Sequence, residues 1–216
     1  MTMSTVHKKL EPFYKFFESY GVERLKGLDE SYLAGLNESE KEEAWNFLKD
    51  GFYLSDERIG LLYALDKLRA VELFKKVLSE PIPTSDFAAE REAFERNRLL
   101  MLKYIVGIEH DEKYIDEMNG FAHSQFCTIR GEFAQSLPVQ KANQSSMEAL
   151  KGMIFTETER IPLVSAIVKF MSIYQMDYDL DDPLYKSIYL SLRSDDQKEK
   201  IAGVKRLEMR KLSDEL

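Results

Sequence analysis

One cysteine, Cys127, in 216 residues rules out an internal disulfide and points to a reducing compartment, by default the cytoplasm. Glycine and proline are sparse, at 10 and 6, which argues against the turn-dense pattern of an all-β chain. No apolar stretch reaches the roughly 18 residues of a membrane span, and the N-terminal segment lacks the apolar core of a signal peptide, so a soluble protein is expected. Cations are outnumbered: 30 Lys plus Arg face 38 Asp plus Glu, leaving a net charge of -8, the wrong sign for gripping nucleic-acid phosphates. Three histidines and no HExxH, paired CxxC, phosphate loop, GxSxG elbow or dinucleotide fingerprint remove the common catalytic and metal signatures. No cofactor and no metal is expected, and the sequence holds no catalytic set.

What is present is apolar and periodic. Hydrophobic residues make up 44% of the chain, with 13 Phe and 11 Tyr, enough for a sizeable core. They recur at three and four: Ile59, Leu62, Leu65 and Leu68, then Val71, Phe74 and Leu78 after a break near Arg69, predict a helical hairpin. Ile161, Val164, Ile167, Val168, Met171 and Tyr174 predict a second amphipathic helix, followed by others through Leu184, Ile188 and Leu192 and through Ile201, Val204 and Leu207. Capping-box spacing proposes helix starts at Ser39 with Glu42, Ser145 with Glu148, Thr156 with Glu159 and Ser194 with Gln197. Asp182 before Pro183 proposes another. Gly21, Gly51 and Gly107 read as C-terminal stops, and Pro81 and Pro83 close a helix ending near Ser79.

The resulting map places helices at 8–20, 22–36 in short pieces, 39–50, 56–68, 70–80, 86–107, 111–118, 121–135, 145–153, 157–176, 183–193 and 195–210. The polar stretch 131–146 around Pro138 predicts a longer connection. No Gly/Ser-rich linker divides the chain, so residues 1–216 read as one all-α domain: 1–36 as capping helices, with Phe13, Phe16, Phe17 and Tyr20 on an aromatic helix, and 38–210 as a helical-hairpin array.

A repeat is visible within that array. Glu57-Arg58-Ile59 leading to Leu65 matches Glu159-Arg160-Ile161 leading to Ile167, and further copies start at Arg98 and Lys200, each forty positions after Arg58 and Arg160. This spacing resembles HEAT and armadillo-like repeats, in which antiparallel helix pairs stack into an α-solenoid. The alternative is a compact irregular helix bundle.

Few constellations carry chemistry. His123 and Cys127, four apart, would share a helix face, where the flanking Phe121, Phe126 and Ile129 favour core packing over a nucleophile. Glu109, His110 and Asp111 read as a helix boundary capped by Asp111 before they read, with His123, as zinc ligands, and His7 carries no signal. Asp177, Asp179, Asp181 and Asp182 resemble the first ligand positions of an EF-hand, yet Asp182 stands where the turn needs glycine and Ile188 where the bidentate glutamate belongs. With Tyr178 among them, these carboxylates form a negative patch suited to lysines and arginines of another protein. Glu38, Glu40, Glu42 and Glu43 beside Trp45 form a similar one, also explained by the preference of acids for a helix first turn.

These features together predict a non-enzymatic protein-binding module whose partner has a basic surface. In size, charge and texture the chain resembles bacterial immunity proteins, which implies neutralisation of a basic toxin. The alternative is a nucleic-acid binder resembling the HEAT-like DNA glycosylases, with Lys205-Arg206 and Arg210-Lys211 as a small positive strip. A third reading is self-association through the Phe-rich helix near 13–17.

Overall fold

A computed structural model describes residues 9–19, 30–50 and 54–214, the side chains of residue 30 and of 211–214 excepted. The protein is all-α: these residues form eleven α-helices and three 3₁₀ turns, with no strand among them. Gly21, Gly51, Tyr20, His7 and most of the 22–36 segment lie outside the described residues.

The chain forms two compact units, Met1–Pro83 and Thr84–Leu216. The first holds α1 (Glu11–Glu18), a 3₁₀ turn (Glu30–Leu33), α2 (Glu38–Lys49), α3 (Asp56–Leu65) and α4 (Lys67–Ser79). Phe13, Phe16, Trp45, Leu48, Ile59, Leu62 and Phe74 are buried there. Trp45 also lies under the Arg69 guanidinium, 4.2 Å from the ring centroid. The same Arg69 makes a bidentate pair with Glu42 at 2.5 and 2.9 Å. Pro81 and Pro83 follow the end of α4 as expected, since proline cannot continue a helix.

The second unit holds α5 (Ala88–Ile108), α6 (Glu112–Asn119), a 3₁₀ turn (Gly120–His123), α7 (Cys127–Ser136), a 3₁₀ turn (Val139–Lys141), α8 (Gln144–Thr156), α9 (Arg160–Ile173), α10 (Pro183–Arg193) and α11 (Gln197–Asp214). Residues 131–146, expected as a long connection, are instead mostly the end of α7, the second of these turns and the start of α8. Its most extensive packing is α7 on α9, with α10 on α11 and α8 on α9 next. Phe133, Leu150, Ile167, Phe170 and Leu192 are fully buried.

Side-chain caps start α2, α3, α4, α6, α8 and α10, some of them at residues other than those expected. Asn37, not Ser39, starts α2: its side chain accepts from the Glu40 amide while Glu40 accepts from the Asn37 amide. Asn143, not Ser145, caps α8 through the Ser146 amide. Thr156 ends α8 and Ser194 ends α10, so neither begins a helix. Asp182 caps α10 ahead of Pro183, and Asp111 caps α6, both as the spacing predicts. The α3/α4 break falls at Asp66, which ends one helix and caps the next, three residues before Arg69. That shift restarts the periodicity and leaves Leu68 69% exposed. Gly107 lies inside α5, and the φ > 0 positions among the described residues are Gly35 and Gln175.

Of the four cations that the sequence spacing aligns, two do the same work. Arg58, in the first turn of α3, donates to the Phe47 and Leu48 carbonyls at the end of α2. Lys200, in the first turn of α11, donates to the Ile154 carbonyl at the end of α8. Each cation sits where its own helix dipole disfavours it and a neighbouring C-terminus welcomes it. Arg98 instead pairs with Glu117, and Arg160 is exposed. The aligned isoleucines also differ: Ile59 is fully buried and Ile161 is 71% exposed.

One close approach depends on a missing side chain. A Cβ at Gly203 in α11 would lie 3.0 Å from Leu192 Cδ2 and 3.2 Å from Ser191 Cβ of α10. Gly203→Ala is therefore expected to destabilise by about 1 kcal/mol, because crowding outweighs the helix propensity gained. Gly152→Ala, in open space on α8, is expected to stabilise by about 0.5 kcal/mol. Urea midpoints of the two variants check the opposite signs.

Candidate functional site

The candidate surface is the segment between α9 and α10. Helix α9 ends in a paired reverse bond: the Gln175 amide donates to the Ser172 carbonyl and the Met176 amide to the Met171 carbonyl, at 3.0 and 3.1 Å. Gln175 takes φ 56 where glycine is the usual occupant, and the buried Met171 and Met176 flank this turn. The chain then leaves the core abruptly, and residues 177–181 are exposed.

The four aspartates divide by role. Asp179 Oδ1 accepts from the amides of Asp181 and Asp182 at 2.9 and 3.3 Å, folding the segment into a tight turn. Asp182 Oδ1 accepts from the Leu184 amide and starts α10. Asp177 and Asp181 make no side-chain hydrogen bond or ion pair among the described residues. Tyr178 projects between them, 61% exposed, with its ring edge-on to Tyr185 at 5.6 Å. Leu180 and Leu184 are also exposed. Exposed apolar side chains thus stand beside carboxylates to which no cation is paired among the described residues.

Tyr185 is the buried ring against which Tyr178 packs. It is almost fully buried and stacks on Tyr189 at 6.2 Å, and its hydroxyl has no hydrogen-bond partner among the described residues. Burial, then the neighbouring phenols Tyr178 and Tyr189, push its pKa up to about 12. A buried hydroxyl without a partner costs stability, so Tyr185→Phe is expected to stabilise by about 1 kcal/mol. A rise in the urea midpoint would show it; a fall would mean that the hydroxyl has a partner.

The other acidic group has a different fate. Glu38 pairs with Lys41 and Glu40 closes the α2 capping box. Glu42 is held by Arg69, whose hydrogen bond lowers the carboxylate pKa. Glu43 accepts from the Tyr14 hydroxyl at 2.9 Å. Burial first, and then that bond, push the Tyr14 pKa up to about 12. All four carboxylates are thus committed within their unit.

His123 and Cys127 do not share a helix face. His123 ends a 3₁₀ turn and Cys127 begins α7, and both are exposed. The core-packing expectation for them is overturned, because the break at Ser124 turns the thiol outward at the head of α7. Among the described residues no three His, Cys, Asp or Glu side chains are placed to hold a metal ion. In the basic strip, Arg206 donates to Ser187 Oγ at 3.0 Å, and the side chain of Lys211 is outside the described set. No helix is long and apolar enough to cross a membrane among the described residues.

No local motif marks a concavity of the second unit that draws on two helices. A cleft of about 340 Å³ is lined by Asn119, Gly120, His123, Ser145, Glu148 and Ala149. Its signal is not local, since its residues come from the end of α6, the following 3₁₀ turn and the first two turns of α8. No protein-family model, curated protein or solved structure matches this chain.

Proposed function

We propose that the protein is a non-enzymatic binding module that docks a basic segment of another protein on the 177–184 surface. One observation carries this reading: exposed Tyr178, Leu180 and Leu184 stand among aspartates that no cation neutralises among the described residues. An aromatic anchor with an apolar strip supplies contact area, and the surrounding charges set orientation and encounter rate. Asp177 and Asp181 are the partner-facing charges, while Asp179 and Asp182 keep the turn in shape. Glu42 and Glu43 contribute general negative field, since their direct contacts are internal. The net charge of -8 extends the attraction beyond the contact itself.

Within this reading, neutralisation of a basic toxin by an immunity protein is the specific case that size and charge support, with a stacked array of helical hairpins as the scaffold. Such a complex would use carboxylates where the toxin otherwise meets phosphates.

The test compares the wild-type chain with an Asp177→Lys/Tyr178→Ala/Asp181→Lys variant as bait in native lysate of the producing organism. The expected result is a retained protein of high pI, released by salt and lost with the variant, whose helical signal is unchanged. Equal retention by both baits, or no basic protein on either, overturns the proposal. On purified components, the variant is expected to weaken binding by at least a hundredfold, mostly through faster dissociation.

A further inference from the structure

The C-terminal hairpin turns a cationic and partly apolar face to solvent. In α10 the buried residues are Tyr185, Ile188 and Leu192. Lys186, Leu190 and Arg193, at spacings of four and three, lie on the opposite side and are exposed. In α11 Lys200, Gly203, Val204 and Leu207 are buried, and Lys198, Ile201, Lys205 and Met209 form the exposed stripe opposite them. The two helices pack on each other, with Arg206 donating to Ser187 Oγ across the pair. Each stripe alternates a cation with an aliphatic side chain, and neither contains an acid. Leu190, Ile201 and Met209 are 53%, 45% and 59% exposed.

These cations are not committed within the fold. Lys186, Arg193, Lys198 and Lys205 make no side-chain hydrogen bond or ion pair among the described residues. Lys198 also stands in the first turn of α11, where the helix dipole disfavours a cation. The acids of the hairpin are at its tip or flanks: Asp196 accepts from the Lys198 amide, Glu208 pairs with Lys151, and Asp195 and Glu199 are exposed. Residues 183–211 hold eight Lys and Arg against four Asp and Glu, in a chain whose net charge is -8.

A matching surface is present on the same molecule. Segment 177–184 carries Asp177 and Asp181 with exposed Tyr178, Leu180 and Leu184, the same mixture of charge and apolar area with the sign reversed. Opposite charges bring two such faces together and fix their register, while the apolar side chains supply desolvated contact. A chain that carries both members of a complementary pair can satisfy each of them with an identical copy.

We infer that the outward face of α10 and α11 in one copy docks the 177–184 surface of a second copy. This inference rests on the reading of that surface as one that receives cations, and it adds a regulation: self-association covers the surface, and the basic partner has to displace the second copy.

The experiment is sedimentation of the full chain at physiological salt, at concentrations up to about 200 μM, high enough to populate a weak pair. The expected result is a mass that climbs with concentration above the 25.2 kDa of one chain. Asp177→Lys/Asp181→Lys and Lys198→Glu/Lys205→Glu, all at exposed positions, are each expected to stay at one chain with unchanged helical dichroism, because each sets like charges against each other. Mixed in equal amounts, the two variants are expected to associate again, since opposite charges then meet at both contacts. A single-chain mass for the wild type at the highest concentration, association that persists in either variant, or a mixture that stays at one chain overturns the inference. Lys198→Glu/Lys205→Glu leaves 177–184 intact and is expected to retain the basic lysate protein as the wild type does. A chain that self-associates without capturing such a protein, or captures it without self-associating, shows which of the two proposals has failed.

Discussion

Arg130→Met is expected to lower the stability of the second unit by about 3 kcal/mol, the usual cost of orphaning one partner of a buried ion pair. Arg130 on α7 grips Glu157 with a fork of two bonds, at 2.5 and 2.9 Å, and donates again to the Ser124 carbonyl. The Glu157 side chain is 4% exposed. Its Oε1 also accepts from the Thr158 and Glu159 amides that open α9. One carboxylate thus joins the head of α7 to the α8/α9 corner, and methionine keeps the apolar stem while removing the compensating charge. Hydrogen exchange of α7 and α9 amides is the readout, since both helices should lose protection together.

The same pair predicts the acid limb of the stability curve. The Arg130 hydrogen bond, followed by the backbone amides and charge attraction, holds the Glu157 pKa below its ordinary 4.5, against the opposing effect of burial. A depressed folded-state value means that the unfolded chain binds more protons in that window. The stabilisation is complete above pH 4.5 and is lost as pH falls through the lowered folded-state value. In Arg130→Met this part of the acid dependence is expected to shrink. Urea midpoints measured between pH 3 and 6 check the sign.

Lys200→Met is expected to cost about 2 kcal/mol, by withdrawing the ammonium from the end of α8. Lys200 is 6% exposed, and its Nζ meets the Ile154 carbonyl at 2.6 Å. Gln197 Nε2 reaches the next carbonyl, Phe155, at 3.3 Å. Without the lysine, Ile154 keeps a buried carbonyl at a helix end with one fewer donor. Exposed Lys198→Met, two positions away, is expected to change stability by less than about 0.5 kcal/mol. Comparable losses in both variants would show that the ammonium contributes little.

Local features of the fold were legible in the sequence and long-range ones were not. The 183–193 helix could be read from an aspartate, a proline and the apolar period Leu184, Ile188 and Leu192, and the Asp111 cap from an aspartate just ahead of a helix start, because each signal is local. Asn37 and Asn143 stand two residues ahead of Ser39 and Ser145, and spacing alone does not choose between them because asparagine caps as well as serine does. Leu68 and Ile161 look like core residues by period, yet one helix register restarts at Asp66 and the other begins only at Arg160.

The functional features follow the same rule. Asp177 to Asp182 were visible as a cluster, but only the structure separates the two that hold the turn from the two that face outward. Glu42 reads as equally available in the sequence, but Arg69, 27 residues away, holds it. The cations that close neighbouring helices, Lys141 on the end of α5, Lys169 on Leu137 and Lys200 on Ile154, act across 32 to 46 residues. No window of sequence contains both halves of such a contact. The Asn119 cleft was missed for the same reason.

The position of Trp45 has an experimental use. It is the chain's single tryptophan, and it belongs to the first compact unit, buried beneath a guanidinium. Its fluorescence therefore tracks melting of residues 1–83 alone, whereas far-ultraviolet dichroism registers helices in both units. Overlaying the two denaturation curves tells whether the chain melts as one cooperative body or in two stages, without adding any label.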